Sequence, residues 1–238
     1  MNYADISRMI DHALLTPTMT TRDLEAGIDL AIRYEVASVC LLPYYVKRCA
    51  ERLAGTGIAP STTIGFPHGG QAAAAKRAEA LQAIEDGCEE LDVVVNISQV
   101  LSGEWNAVET ELKGIIEPAH QANRKVKVIF ENCYLQADHK RRLCAICGDL
   151  KADWVKTSTG FGTRGATLED VILMRQSSPA HVQVKAAGGV RTLDELLTMK
   201  EAGATRIGTS KTASLLNEWR DRLGLPSLDS GTAPSLGY

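Results

Sequence analysis

The sequence lacks most of the features that would assign it to a specialised class. Its 238 residues include six cysteines, too few for a disulfide scaffold, and in a cytosolic setting these would be reduced thiols. Cys144 and Cys147 have CxxC spacing, but no second pair accompanies them and no strand adjoins them. They read as core residues rather than zinc ligands or a redox couple. No apolar run approaches the roughly 18 residues of a membrane span. The opening MNYADISRMIDHALL carries acids among its apolar residues and lacks a signal-peptide layout. A cytoplasmic protein is expected. Neither sign of charge dominates, and the formal balance of −3 argues against nucleic acid or an anionic membrane as the main partner. A local pocket for a small anion is still compatible with that balance.

The material for a core is present, with 45% hydrophobic and 23% charged residues. Short β-branched runs alternate with longer helical stretches along almost the whole chain. The predicted strands are 9–15, 37–42, 61–66, 90–96, 125–131, 153–159, 182–188 and 205–210, although MIDHALL at 9–15 reads equally well as a helix. Segments such as TTRDLEAGIDLAIRY, AAAAKRAEALQAIEDG and TLDELLTMKEAG lie between them. Apolar residues at i, i+3, i+4 spacing and terminal glycines mark these as amphipathic helices. Eight βα units predict an α/β protein, a single (β/α)8 TIM barrel over 1–224. An open doubly wound sheet is the alternative, but no GxGxxG follows an early strand and the glycines cluster late. From 225 to 238 the composition turns to Ser, Pro and Gly without periodicity, and a short mobile C-terminal tail is expected.

Three strands place charge among apolar neighbours: Asp92 in ELDVVVN, Lys156 in DWVKTST and Lys185 in VQVKAAG. Desolvating a charge is costly, so each needs an explanation. Taken singly, a strand-end lysine with Asp92 as its salt-bridge partner suffices. Taken together on barrel strands, they point to a site. Lys156 and Lys185 fall on consecutive strands about 4.8 Å apart. Mutual repulsion and burial would leave one of them partly neutral, as a nucleophilic amine must be. Asp92 could then accept or relay a proton.

A second signal lies in the loops after strands seven and eight, Ala187-Gly188-Gly189-Val190-Arg191 and Gly208-Thr209-Ser210-Lys211. This is the recurrent phosphate position of such barrels. His68, Glu131 and Cys40 are weaker candidates: a solvated loop residue, an organiser of the polar network around the lysines, and a core thiol near the site. No His, Cys and carboxylate cluster has the spacing of a catalytic metal site.

At these residues the chain resembles the deoxyribose-phosphate aldolases, over Ile10-Asp11-His12 to about Leu216. The strongest matches are Val155-Lys156-Thr157-Ser158-Thr159-Gly160-Phe161 and Val184-Lys185-Ala186-Ala187-Gly188-Gly189-Val190-Arg191. The resemblance implies reversible cleavage of 2-deoxy-D-ribose 5-phosphate to acetaldehyde and D-glyceraldehyde 3-phosphate, with no metal and no cofactor. It implies a Schiff base on Lys156, a pKa perturbed by Lys185, and proton transfer in which Asp92 takes part through a bound water. Thr159, Gly160, Gly188, Gly189, Gly208 and Ser210 match positions that hold the sugar phosphate. Two departures, Leu42 for a polar residue and Lys211 for a serine, keep open a class I aldolase for another phosphorylated sugar. A phosphosugar-binding barrel without catalysis is the remaining alternative. Some relatives end in a tyrosine that assists proton abstraction, which makes Tyr238 a further candidate. A homodimer is common for cytoplasmic enzymes of this size.

Overall fold

The computed structural model describes residues 1–229, so Tyr238 and the last part of the expected tail lie outside the described residues. Eight parallel strands pair in chain order and close on themselves. They are β1 (Ile10–Leu14), β2 (Ser38–Leu41), β3 (Ala59–Ile64), β4 (Glu90–Val94), β5 (Lys125–Ile129), β6 (Trp154–Lys156), β7 (Gln183–Ala187) and β8 (Ala204–Thr209). The barrel is sealed where Asp11 of β1 pairs with Gly208 of β8. Both faces of such strands are covered, one by helices and one by the barrel interior, which is why they read as near-continuous buried runs.

The surrounding helices are α1 (Ala4–Ser7), α2 (Thr21–Arg33), α3 (Val46–Leu53), α4 (Ala73–Glu85), α5 (Ile97–Leu101), α6 (Trp105–Gln121), α7 (Ala137–Asp149), α8 (Leu168–Ser177), α9 (Leu193–Glu201) and α10 (Thr212–Arg222). Their starts follow from local chemistry. Thr20 with Asp23 and Thr192 with Glu195 form capping boxes that satisfy the first free amides of α2 and α9. Leu24, Ile28 and Ala31 then repeat at helical spacing and bury the inner face of α2. No helix among the described residues is long and apolar enough to cross a membrane.

The segment 9–15, ambiguous in the sequence, contains a fully buried strand. The predicted run 153–159 is shorter as a strand and ends at Lys156. Thr157, Ser158 and Thr159 begin the following loop, because Glu131 captures Thr159 and Gly160 turns the chain at φ 90°. The first residues of the expected tail, 225–229, are fastened to the barrel. Leu228 exchanges two hydrogen bonds with the Asn217 side chain and accepts a third from the Tyr34 hydroxyl.

Candidate active site

Strand register determines which charges share a level inside the barrel. Lys156 and Lys185 are direct partners between β6 and β7, and Asp92 is the direct partner of Lys127 between β4 and β5. Side chains at matched positions of neighbouring strands project to the same face. All four side chains are almost fully buried, and they converge on one carboxylate. Asp92 Oδ2 accepts from Lys156 Nζ at 2.6 Å and from Lys185 Nζ at 2.7 Å, while Oδ1 accepts from Lys127 Nζ at 2.8 Å.

The three lysines are not equivalent. Lys185 has a second carboxylate in Asp11 at 2.5 Å, and Lys127 has a second in Glu90 at 2.7 Å. Among the described residues, Asp92 is the one carboxylate in contact with Lys156. Burial lowers the pKa of Lys156, and repulsion from Lys185 adds to the effect against the attraction of Asp92. Burial also opposes the charge on Lys185, but Asp11 and Asp92 outweigh it and its pKa rises. For Lys127 the same opposition is overcome by Asp92, Glu90 and Asp11. Burial disfavours the charged form of Asp92 too, yet the three lysines hold its carboxyl well below the usual carboxylate range. The result is a carboxylate that stays charged, two ammonium groups that stay charged, and one lysine biased toward the free amine.

Lys156 and Lys185 open into a cleft at the C-terminal end of the strands, rimmed by Thr159, Gly160, Gly188, Gly189, Ser210 and Lys211, with Gly208 on its wall. Two of these positions leave little room for a side chain. Gly188 has φ 79°, and a Cβ there would lie 3.0 Å from Gly165 Cα. At Gly208 a Cβ would meet Ala187 at 3.0 Å. The loop after β6 is tied across β7, with Ala166 N–H donating to the carbonyls of Ala187 and Gly188 at 3.1 and 3.0 Å. The two nearby helix starts differ. Glu195 already accepts from the Arg191 and Thr192 amides at the start of α9. The start of α10, at Lys211, has no side-chain cap, so its first-turn N–H groups are available to an anion.

The structure thus brings together Lys156, Lys185, Asp92 and all seven rim candidates. Of the three weaker candidates, His68 and Cys40 lie as read and Glu131 does not. His68 is exposed and outside the cleft. Cys40 lines the cleft beside Ala13 and Leu15, with its thiol pushed up by burial and by Asp92. Glu131 does not bond the lysines; its carboxylate accepts from the Thr159 amide at 3.3 Å and from the Thr159 hydroxyl. Cys144 and Cys147 are buried on α7, where burial raises both thiol pKa values.

Sequence reasoning missed four charged residues of the polar interior. Asp11, Glu90, Lys127 and Arg206 all point into the barrel. Arg206 bonds Asp11 and reaches Glu90 with both guanidinium nitrogens, at 3.1 and 2.7 Å. The available signal was the one that exposed Asp92: a charged residue in a strand covered on both faces.

Comparison with known proteins agrees with this geometry. The sequence profile of the DeoC/LacD family aldolases matches residues 6–221. The chain is 63% identical over 236 residues to a deoxyribose-phosphate aldolase of Rhodopirellula baltica, covering 99% of this chain and 98% of that protein. It is 45% identical over 208 residues to a deoxyribose-phosphate aldolase of Thermococcus gammatolerans, covering 87% and 92%. Among solved structures, the tetrameric deoxyribose phosphate aldolase of Aeropyrum pernix superimposes with a TM-score of 0.86 at 31% identity, over 93% of each chain. With its profile matched almost end to end and its lysines gathered on one carboxylate, the chain belongs to the DeoC/LacD family of aldolases.

Proposed function

We propose that this enzyme cleaves 2-deoxy-D-ribose 5-phosphate reversibly to acetaldehyde and D-glyceraldehyde 3-phosphate, with Lys156 as the nucleophile. One observation carries the assignment of Lys156: it shares its single carboxylate with two lysines that each have another. It is therefore the amine most readily uncharged at neutral pH, and a lysine attacks a carbonyl only as the free amine.

The steps follow from that placement. Nζ of Lys156 adds to C1 of the open-chain sugar, and loss of water gives an iminium. The iminium draws electrons from the C2–C3 bond, which breaks as the C3 hydroxyl loses its proton. C3 leaves as the aldehyde carbon of glyceraldehyde 3-phosphate, and C1–C2 remains on Lys156 as an enamine. Protonation at C2 and hydrolysis release acetaldehyde and regenerate the amine. Asp92, bonded to Lys156 Nζ, takes part in relaying the protons, and Lys185 on the same oxygen perturbs the pKa of Lys156. Tyr238, outside the described residues, is assigned to the C2 proton by resemblance alone. The uncapped start of α10 with Ser210 and Lys211, and the Gly188-Gly189 turn, hold the phosphate. A cytoplasmic setting belongs to the same reading, supported by six cysteines present as free thiols.

Acetaldehyde release from a panel of phosphorylated sugars tests the substrate. Turnover of deoxyribose 5-phosphate above the other sugars is expected. Lys211 beside the phosphate rim favours one competing reading, a different phosphorylated sugar, and preference for such a sugar would select it.

A further inference from the structure

The charged interior extends below the reacting level. Among the described residues, seven charged side chains lie inside the barrel: Asp11, Glu90 and Asp92 against Lys127, Lys156, Lys185 and Arg206. With every group ionised, three negative charges face four positive ones. Glu90 lies two residues before Asp92 on β4, and Arg206 lies two residues before Gly208, the partner of Asp11, and pairs with Lys185 across an irregular β7–β8 ladder. These two residues form the floor. The Arg206 guanidinium grips both oxygens of Glu90 and one of Asp11, and stacks on the Trp154 ring at 5.0 Å. Neither floor residue contacts Lys156.

We infer that Arg206 and Glu90 are a positioning pair for the aldolase reaction: Arg206 is the fourth cation that gives the buried charge cluster one surplus positive charge, and Lys156 is where that surplus is shed as a proton. The inference rests on Lys156 being the nucleophile, as proposed above.

The surplus falls on Lys156 because the other cations are better compensated. Arg206 retains its proton in proteins. It also occupies Asp11 Oδ1, so that Lys185 meets the other oxygen of Asp11. Glu90 divides its carboxylate between Arg206 and Lys127. Among the described residues, the remaining faces supply no further counter-charge to Lys156. Inside the barrel β2 offers only the Cys40 thiol, and β3, reading APSTTI, carries no titratable side chain. His12 of β1 points away, with Nδ1 bonded to Thr212 at 2.8 Å. Glu131, just past β5, is engaged by Thr159. Arg191 and Lys211 at the cleft rim are themselves positive. Shedding one proton from Lys156 balances the interior at three against three. The balanced state is the catalytically competent one, since the nucleophile is then a free amine.

The test uses opposite charge changes at two residues that do not touch Lys156. The full-length wild type, Arg206→Gln, Glu90→Gln and the double variant are incubated with acetaldehyde and borohydride across a pH series, and the adduct on the Lys156 peptide is quantified. Arg206→Gln removes a cation, and the midpoint of trapping should move up by about one pH unit, leaving about tenfold less free amine below it. Glu90→Gln removes an anion, and the midpoint should move down by a similar amount. The double variant changes no net charge and should return the midpoint to the wild-type value, even if either single variant folds poorly. Loss of packing alone would lower the amount of adduct without moving midpoints in opposite directions. Unmoved midpoints, or shifts of the same sign in both single variants, would overturn the inference. Failure of the wild type to label at Lys156 would instead remove the assignment of the nucleophile.

Discussion

Lys156 and Lys185 are direct partners across the β6–β7 ladder, and their ammonium nitrogens meet the same oxygen, Oδ2 of Asp92, at 2.6 and 2.7 Å. Two cations on one carboxylate oxygen cannot both be well compensated. Asp11 settles which one loses, because it contacts Lys185 and not Lys156.

Removing Lys185 therefore changes Lys156. In Lys185→Leu the neighbouring cation is gone, so protonation of Lys156 becomes easier and its pKa rises by about one to two units. At neutral pH kcat/KM should fall about 10- to 100-fold from this cause alone. Raising the pH should recover part of the loss, and a pH–rate profile measures it.

Asp92→Asn gives the opposite signature. Three lysines lose their shared counter-charge, and breaking a buried ion pair destabilises by about 3–5 kcal/mol. Thermal and urea unfolding should show a large loss of stability. Lys156→Met should leave stability unchanged or raised, because Asp92 keeps two partners and one buried amine is replaced by an apolar chain.

Much of this site was legible in the sequence, because Lys156, Lys185 and Asp92 interrupt otherwise apolar strands. Lys127 was overlooked for a physical reason. KVKVI alternates as a half-exposed strand does, with its lysines on what looks like the solvent face. In a closed barrel that face is the interior, and Lys127 is fully buried. Arg206 in ATRIGT read the same way. The order of eight βα units was readable from periodicity. The end of β6 was not, since the Glu131–Thr159 contact that pulls the chain out of the sheet spans 28 residues.

Acid stability follows from the sign of the carboxylate shifts. The folded pKa values of Asp11 and Asp92 lie below the ordinary value despite burial, held there chiefly by Lys185 and Lys127 respectively. Their contribution is complete above the unfolded pKa of about 3.9 and is lost as pH falls through the folded values. Lys156 has the same sign in a more alkaline window: its depressed pKa also means that the unfolded chain binds more protons, so burying this amine costs stability at neutral pH and the cost shrinks as pH rises toward about 10.4. Melting temperature should hold through mildly acidic pH and fall once pH drops below about 4.

The proposed phosphate site predicts a binding effect. Lys211→Ser removes one cation from the cleft edge and should raise KM for deoxyribose 5-phosphate about tenfold with little change in kcat. Kinetics with unphosphorylated deoxyribose should be unaffected. An equal loss with both sugars would place Lys211 outside phosphate binding.

Tyr238→Phe addresses the proposed C2 proton transfer separately from bond formation to Lys156. Deuterium exchange into the methyl group of acetaldehyde should slow by about 100-fold, as for loss of a general base. Trapping at Lys156 should continue at the wild-type level.

The central claim is that Lys156 is the amine that bonds the substrate. The most direct measurement is intact mass after acetaldehyde and borohydride, followed by peptide mapping of the wild type and Lys156→Ala. A single two-carbon adduct on the peptide containing Lys156, absent from the variant, is the predicted result. An adduct on Lys185 or Lys127, or on exposed lysines alone, would contradict the account.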